Sequence, residues 1–294
     1  CGLGLLNYLG VQLAKVVNNL ITVGKVLPLL FFVVLGAFFI DFGNFTPLYP
    51  KGFDLDSFGA AALLIFYAFT GFEALAVAAE DMENPRRNLP LALMLVMGFC
   101  SVVYFMVQAV AVGTLGADLA KSVAPVADSA NAIFGPAGKW LVTIGTLISI
   151  GGINVAASFL TPRSGVALAQ DGLVPRKIAE NGRFNTPTWA IFITVLLAIP
   201  VALSGSFVKL AAISVVSRFA QYVPTCLAVI VLRKKRPDLE GFFRLPLVPF
   251  IPLAAVAVSV WLVSKASTEQ ILWGLGAMAL GVPLYFFMKK QGNA

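Results

Sequence analysis

Eight runs of about 20 mostly apolar residues follow one another along this chain, and nearly all charged residues fall between them. A bilayer's hydrocarbon core takes about 20 such residues per helix, and Gly and Pro are better tolerated there than in soluble helices. The runs are Val17 to Phe39, Phe58 to Ala79, Leu89 to Gly113, Trp140 to Leu160, Pro187 to Leu203, Val208 to Leu232, Leu245 to Val263 and Ile271 to Met288. With only 12% charged residues and a mean hydropathy of +0.89, the 294-residue chain carries more apolar surface than a water-soluble body can hide. The expected fold class is an all-α integral membrane bundle of about eight spans in a single membrane domain, with residues 1–16 as a lead-in.

The same composition removes whole classes of chemistry. The chain has no histidine, so imidazole metal sites, Ser-His-Asp triads and histidine proton relays are excluded. Cys1, Cys100 and Cys226 lie far apart and read as buried apolar residues, with no disulfide framework, metal site or cofactor implied. Lys and Arg accumulate on the cytoplasmic side of membrane proteins. Sorting them by loop puts fourteen on one side and five on the other, with Lys25 and Arg218 inside spans. Both ends of the chain are therefore expected in the cytoplasm, with external loops near 40–57, 114–139, 204–207 and 264–270. The net charge of +7 reports this topology and needs no nucleic-acid partner. Residues 116–135 read as two short external helices divided at Pro125, and residues 163–187 as a helical extension ending at Asp171-Gly172 and then a basic connector.

Charges deep in a membrane are costly and mark candidate sites. Lys25 is too deep to snorkel comfortably. It reads as a group that loads and releases a proton, as an ammonium standing where a cation would sit, or as a structural charge on helix carbonyls. Glu73 follows Thr70 and Gly71, which weaken a helix, amid Phe66, Tyr67, Phe69 and Phe72. A helix interrupted there exposes backbone N–H and C=O groups of the kind transporters use at midplane; a continuous helix with a neutral or paired Glu73 is the alternative. Arg218 cannot be neutralised, so it needs a partner: Glu73 if their spans are adjacent, carbonyls freed near Pro224, or a substrate carboxylate. The fourth span carries Thr143, Gly145, Thr146, Ser149, Gly151, Gly152, Asn154 and Ser158, which read equally as helix-packing residues or as a pathway lining.

Three stretches together resemble the amino acid/polyamine/organocation superfamily of permeases: FYAFTGFEALAVAAEDMENPRRNLP (66–90), Thr161-Pro162-Arg163 through Pro175, and NYLGVQLAKVVNNLITVGKVLPLL (7–30). The resemblance implies an inverted-repeat transporter bundle like that of sodium symporters, with this chain supplying family helices 5 to 12. Residues 17–39 would be helix 5, 58–232 helices 6–10, and 245–288 helices 11 and 12. It also implies transport of an amino acid or related amine across the cell membrane, by proton symport or exchange, in place of catalysis. Tyr67, Ala68, Phe69, Thr70 and Gly71 would bind substrate at a broken helix, Glu73 would be a proton-sensitive acid, and Lys25 a proton-coupling lysine. The family's glycine-rich turn in its first helix has no counterpart in a suitable span here, Ser204-Gly205-Ser206 being in an external loop. The chain is thus expected to be a fragment truncated at its N-terminus. Two other readings remain open from the residues: a membrane-embedded transferase with Glu73 as base, and an inactive or partner-dependent fragment.

Overall fold

A computed structural model describes residues 2–8, 15–47, 53–73, 75, 79, 82–182, 184–236, 247–279, 281–283 and 286. Nine helices are found among these residues: α1 (Gly2–Tyr8), α2 (Lys15–Gly36), α3 (Leu55–Tyr67), α4 (Pro85–Leu115), α5 (Pro125–Gln170), α6 (Thr188–Leu203), α7 (Phe207–Lys235), α8 (Phe250–Ser264) and α9 (Thr268–Ala279). No strand occurs among the described residues. The chain divides into two units, Cys1–Pro50 with Ser101–Leu203 and Leu284–Ala294, and Lys51–Cys100 with Ser204–Pro283.

The helix ends follow local chemistry. Asp54 caps α3 by accepting the backbone N–H groups of Asp56 (2.6 Å) and Ser57 (3.0 Å), which have no partner inside the helix. Pro85 and Pro125 open α4 and α5, where a missing N–H costs nothing. Arg233, Lys234 and Lys235 in the last turn of α7 complement the negative end of the helix dipole.

In the first unit α2 lies along α5, and small residues set how closely. A Cβ added to Gly145 would sit 2.7 Å from Cγ of Pro28, and one on Gly24 would sit 3.3 Å from Cγ2 of Ile148. Without a large aqueous driving force, such close backbone approach is a main source of helix association in a bilayer. Phe32, Val33, Val110, Ala127, Ala130 and Val142 form the buried cluster of this unit. The Asn7 amide donates to the Ser158 carbonyl (2.6 Å) and the Thr186 hydroxyl to the Tyr8 carbonyl (2.9 Å), fastening α1 to the rest.

In the second unit α7 is the central helix, packed by α3, α8 and α9. Leu63, Ala212, Val215, Val216, Phe219 and Leu262 form its core. Ser217 donates to the Gly274 carbonyl at 3.0 Å, joining α7 to α9. Two ion pairs, Lys265 with Asp56 (2.5 Å) and Lys209 with Glu269 (2.6 Å), join α3 to the end of α8 and α7 to α9.

The helices depart from eight equal spans. Four of them are long and apolar enough to cross a bilayer individually: the α2 region (Ile21–Phe39), the α4 region (Pro85–Lys121), α5 and α7. The other four apolar runs correspond to shorter helices, and each has a local reason. The run expected over Phe58 to Ala79 leaves helical geometry after Tyr67. Residues 188–203 give 16 helical residues between Pro187 and the Ser204-Gly205 turn. The last two runs are α8 and α9, which turn through 119° at Lys265–Ser267. The ends expected at Leu245 and Met288 lie outside the described residues, as do Cys1, Glu80, Asp81 and Arg183.

Between α4 and α5 the chain forms a 3₁₀ turn over Gly116–Lys121, and α5 then starts at Pro125. α5 is interrupted at Gly135 (φ 66°, ψ −162°), a backbone state open to glycine, and then runs on to Gln170 with Asp171 as its C-cap. A second 3₁₀ turn, Arg176–Ala179, packs against both α5 and α6.

Candidate functional site

α3 stops at Tyr67 because the peptide after it tightens and then turns over. The N–H groups of Ala68, Phe69 and Thr70 donate three residues back, to Ile65, Phe66 and Tyr67, at 3.0, 3.0 and 3.1 Å. The Thr70 hydroxyl also donates to the Tyr67 carbonyl at 2.7 Å, occupying an acceptor that a continuing helix would use. Gly71 then takes φ 110°, where side chains with a Cβ are strained. Residues 68–73 are accordingly turns, not helix.

The carboxylate of Glu73 closes this turn. Its Oε2 accepts the Gly71 N–H at 3.0 Å and the Tyr222 hydroxyl at 3.1 Å, while Oε1 is held by the guanidinium of Arg218. Arg218 and Tyr222 are one helical turn apart on α7 and so share a face. The side chains of Glu73 and Arg218 are 21% and 31% exposed, so this pair is only partly screened by solvent. Nε of Arg218 is buried and has no hydrogen-bond partner among the described residues.

Aromatic rings surround the pair. Phe72 stacks on Tyr222 with centroids 5.4 Å apart, and Phe66 lies 4.9 Å from Phe219. Tyr67 packs edge-on against Phe207, at the start of α7, at 5.6 Å. Tyr67, Ala68, Phe69, Thr70, Gly71, Glu73 and Arg218 therefore all meet within the second unit. Sequence reasoning singled out Arg218 but passed over Phe219 and Tyr222. The available signal was position: the residue four after an intramembrane arginine shares its helix face.

Lys25 belongs to the first unit. It is half-buried on α2 and has no ion-pair or hydrogen-bond partner among the described residues. Three residues on, Pro28 has no N–H to give to the Gly24 carbonyl, so the residue before the lysine lacks its helical donor. Cys100 and Cys226 are half-buried thiols, and no group of three potential metal ligands is found among the described residues.

Long apolar helices whose outer faces carry many exposed Leu, Ile, Val and Phe side chains define a multi-pass membrane protein. Residues 2–282 match the amino acid permease family, and the chain belongs to that family, whose members are transporters and not enzymes. It is 30% identical to the branched-chain amino acid permease BcaP of Bacillus subtilis (strain 168), over 97% of this chain and 61% of that protein. It is 26% identical to the methylthioribose transporter of the same organism, over 96% of this chain and 61% of that protein. The serine/threonine exchanger SteT, also of Bacillus subtilis, is 29% identical over 97% of this chain and 67% of the exchanger. The chain thus spans about three fifths of the length of the first two. The family membership removes the transferase reading of Glu73.

Proposed function

We propose that this chain forms part of a secondary transporter that moves an amino acid or related amine across the cell membrane by alternating access, with proton symport or exchange. The observation that supports this most is the helix stopped at Tyr67, with the following turn held by Glu73 to Gly71, Tyr222 and Arg218. In this reading Tyr67 to Gly71 present backbone groups to the substrate, the arrangement suited to recognising charged groups in a low-dielectric site. Glu73 is the proton-sensitive acid. Its protonation removes the counter-charge of Arg218, which stays cationic, and so loosens the turn from α7. Lys25 couples the proton from the other unit. Both ends lie in the cytoplasm, and 58–232 form the second half of an inverted repeat within a single membrane domain.

The test is uptake by the full-length protein in liposomes with an acid-outside gradient. Labelled leucine, valine, isoleucine, serine and threonine are the panel, chosen because relatives carry branched-chain and hydroxylated amino acids in their names. At least one is expected to accumulate, with accumulation lost in Glu73→Gln and insensitive to the gradient in Lys25→Ala. No accumulation of any of them removes the transport reading. An unchanged gradient response in Lys25→Ala removes the coupling role of that lysine.

A further inference from the structure

We propose that the 3₁₀ turn Arg176–Ala179 and the start of α6 bind the phosphate headgroup of an anionic phospholipid, whose chains lie along α6. The inference rests on the membrane reading and its sidedness, and not on transport. Four observations meet at this place in the first unit.

Lys177 holds its ammonium 4.9 Å from the centroid of the Trp189 ring, and Trp189 is 43% exposed. A tryptophan at the start of an apolar helix sits by preference at headgroup level, where its ring is amphipathic. Next, Arg176 and Lys177 are both exposed and neither has a carboxylate partner among the described residues. Lys121, Lys139, Lys209, Arg218 and Lys265 are each paired with one. The adjacent cations thus keep their charge for an external anion. In the sequence of the connector, 171–187, the two carboxylates Asp171 and Glu180 are outnumbered by Arg176, Lys177 and Arg183.

The exposed face of α6 continues the site. Trp189, Phe192, Leu196, Ile199 and Leu203 recur at three- and four-residue steps and are 43%, 57%, 57%, 41% and 83% exposed, while Ala190 and Ile191 opposite are buried. This stripe is about 21 Å long at 1.5 Å per residue, enough to follow acyl chains across one leaflet of a core about 30 Å thick. Finally, the turn is held in place, because it packs against α5 and α6 together. Two adjacent cations on a packed turn, Lys177 over an interfacial tryptophan and Arg176 beside it in sequence, at the head of an apolar stripe, are complementary to a lipid phosphate with its chains below.

The experiment is native mass spectrometry of the full-length protein in detergent with equal phosphatidylglycerol and phosphatidylcholine. Wild type is expected to retain phosphatidylglycerol by about fivefold or more over phosphatidylcholine, and Arg176→Gln with Lys177→Gln to bring the ratio toward one. Trp189→Leu, which keeps apolar area but loses the ring, should lower the ratio part of the way. Equal retention by wild type, or an unchanged ratio in the double variant, overturns the proposal. If the double variant does not fold, salt decides on wild type alone: from about 0.1 M to about 0.5 M the preference should shrink, and a salt-independent ratio overturns it. Displacement of the lipid by excess soluble glycerol phosphate would assign the site to a free phosphate ester and overturn the lipid. None of these readouts depends on transport, so a failure of one reading leaves the other testable.

Discussion

The phenol of Tyr222 donates to the carboxylate of Glu73 at 3.1 Å, tying the middle of α7 to the turn that ends α3. The two residues are 149 positions apart in sequence, and the same carboxylate also holds Arg218, one turn before Tyr222. Three groups therefore converge on one side chain, and the strength of each contact can be taken apart by substitution.

Breaking the ion pair should cost more than removing it whole. Arg218→Met strands a half-buried carboxylate, and Glu73→Gln strands a guanidinium, each costing about 2 kcal/mol after allowing for partial solvent access. The double variant should be less destabilised than either single variant, which requires a coupling energy of more than about 2 kcal/mol in a double-mutant cycle of thermal unfolding. Additive losses would show that the pair contributes nothing as a pair.

Tyr222→Phe keeps the ring on Phe72 and removes only the hydroxyl. The expected loss is about 1 kcal/mol for a hydrogen bond to a charged acceptor that keeps its other partners. An unchanged melting temperature would mean that water replaces the phenol without cost.

At Gly71 the prediction isolates backbone strain from crowding. A Cβ built there meets nothing within 4 Å, yet φ is 110°. Gly71→Ala should therefore destabilise the turn by about 1–2 kcal/mol through conformation alone. Limited proteolysis near residues 68–73 should report the opening, and equal cleavage rates would contradict it.

Gly145→Val tests how α2 and α5 are set together. The nearest atoms, Cγ and Cβ of Pro28, lie 2.7 and 2.9 Å from the added Cβ and belong to a rigid ring. Overpacking of this kind costs about 1–3 kcal/mol, so the melting temperature should fall, while Gly151→Ala, with open space around it, should not lower it.

The cap of α3 carries a pH signature. Hydrogen bonds from the Ser57 hydroxyl, then from the backbone N–H groups of Ser57 and Asp56, hold the Asp54 carboxyl below its ordinary value. A carboxyl lowered by folding stabilises above its unfolded value and loses that contribution as pH falls through the folded one. The stability difference between wild type and Asp54→Ala should thus be full near neutral pH and shrink below about pH 4. A difference that is constant from neutral to acid pH would deny the carboxylate its role.

What the sequence discloses and what it hides follow the range of the physics. Apolar run length is local, so the positions of α2, α4, α5 and α7 were legible directly. The end of α3 was only half legible: Thr70 and Gly71 are neighbours that weaken a helix, but a helix continuing to Ala79 fitted the apolar run as well. The pairing of Glu73 with Arg218 remained one candidate among three, because adjacency of segments 145 residues apart is a tertiary fact. Tyr222 was missed although its spacing from Arg218 was readable, because its hydroxyl gained significance only once Glu73 was known to lie opposite. The Gly135 break falls at the end of the 116–135 stretch, between apolar runs, where run length does not say that helix resumes on both sides of a glycine. The extent of α6 was legible, since the run from Pro187 to Leu203 ends where the helix ends, whereas at α8 the apolar run begins ahead of the helix.

After Gly135, α5 runs to Gln170 for about 35 residues, with Pro162 inside it, a length of roughly 50 Å along the helix against a hydrocarbon core of about 30 Å. At least one end must project beyond the core or lean within it. Since the Arg176–Ala179 turn packs on this helix, a lean of 10° about Gly135 would carry its far end, and the turn with it, through roughly 9 Å. A tilt pivoting at Gly135 would therefore be read at the surface, as a displacement of the connector ahead of α6.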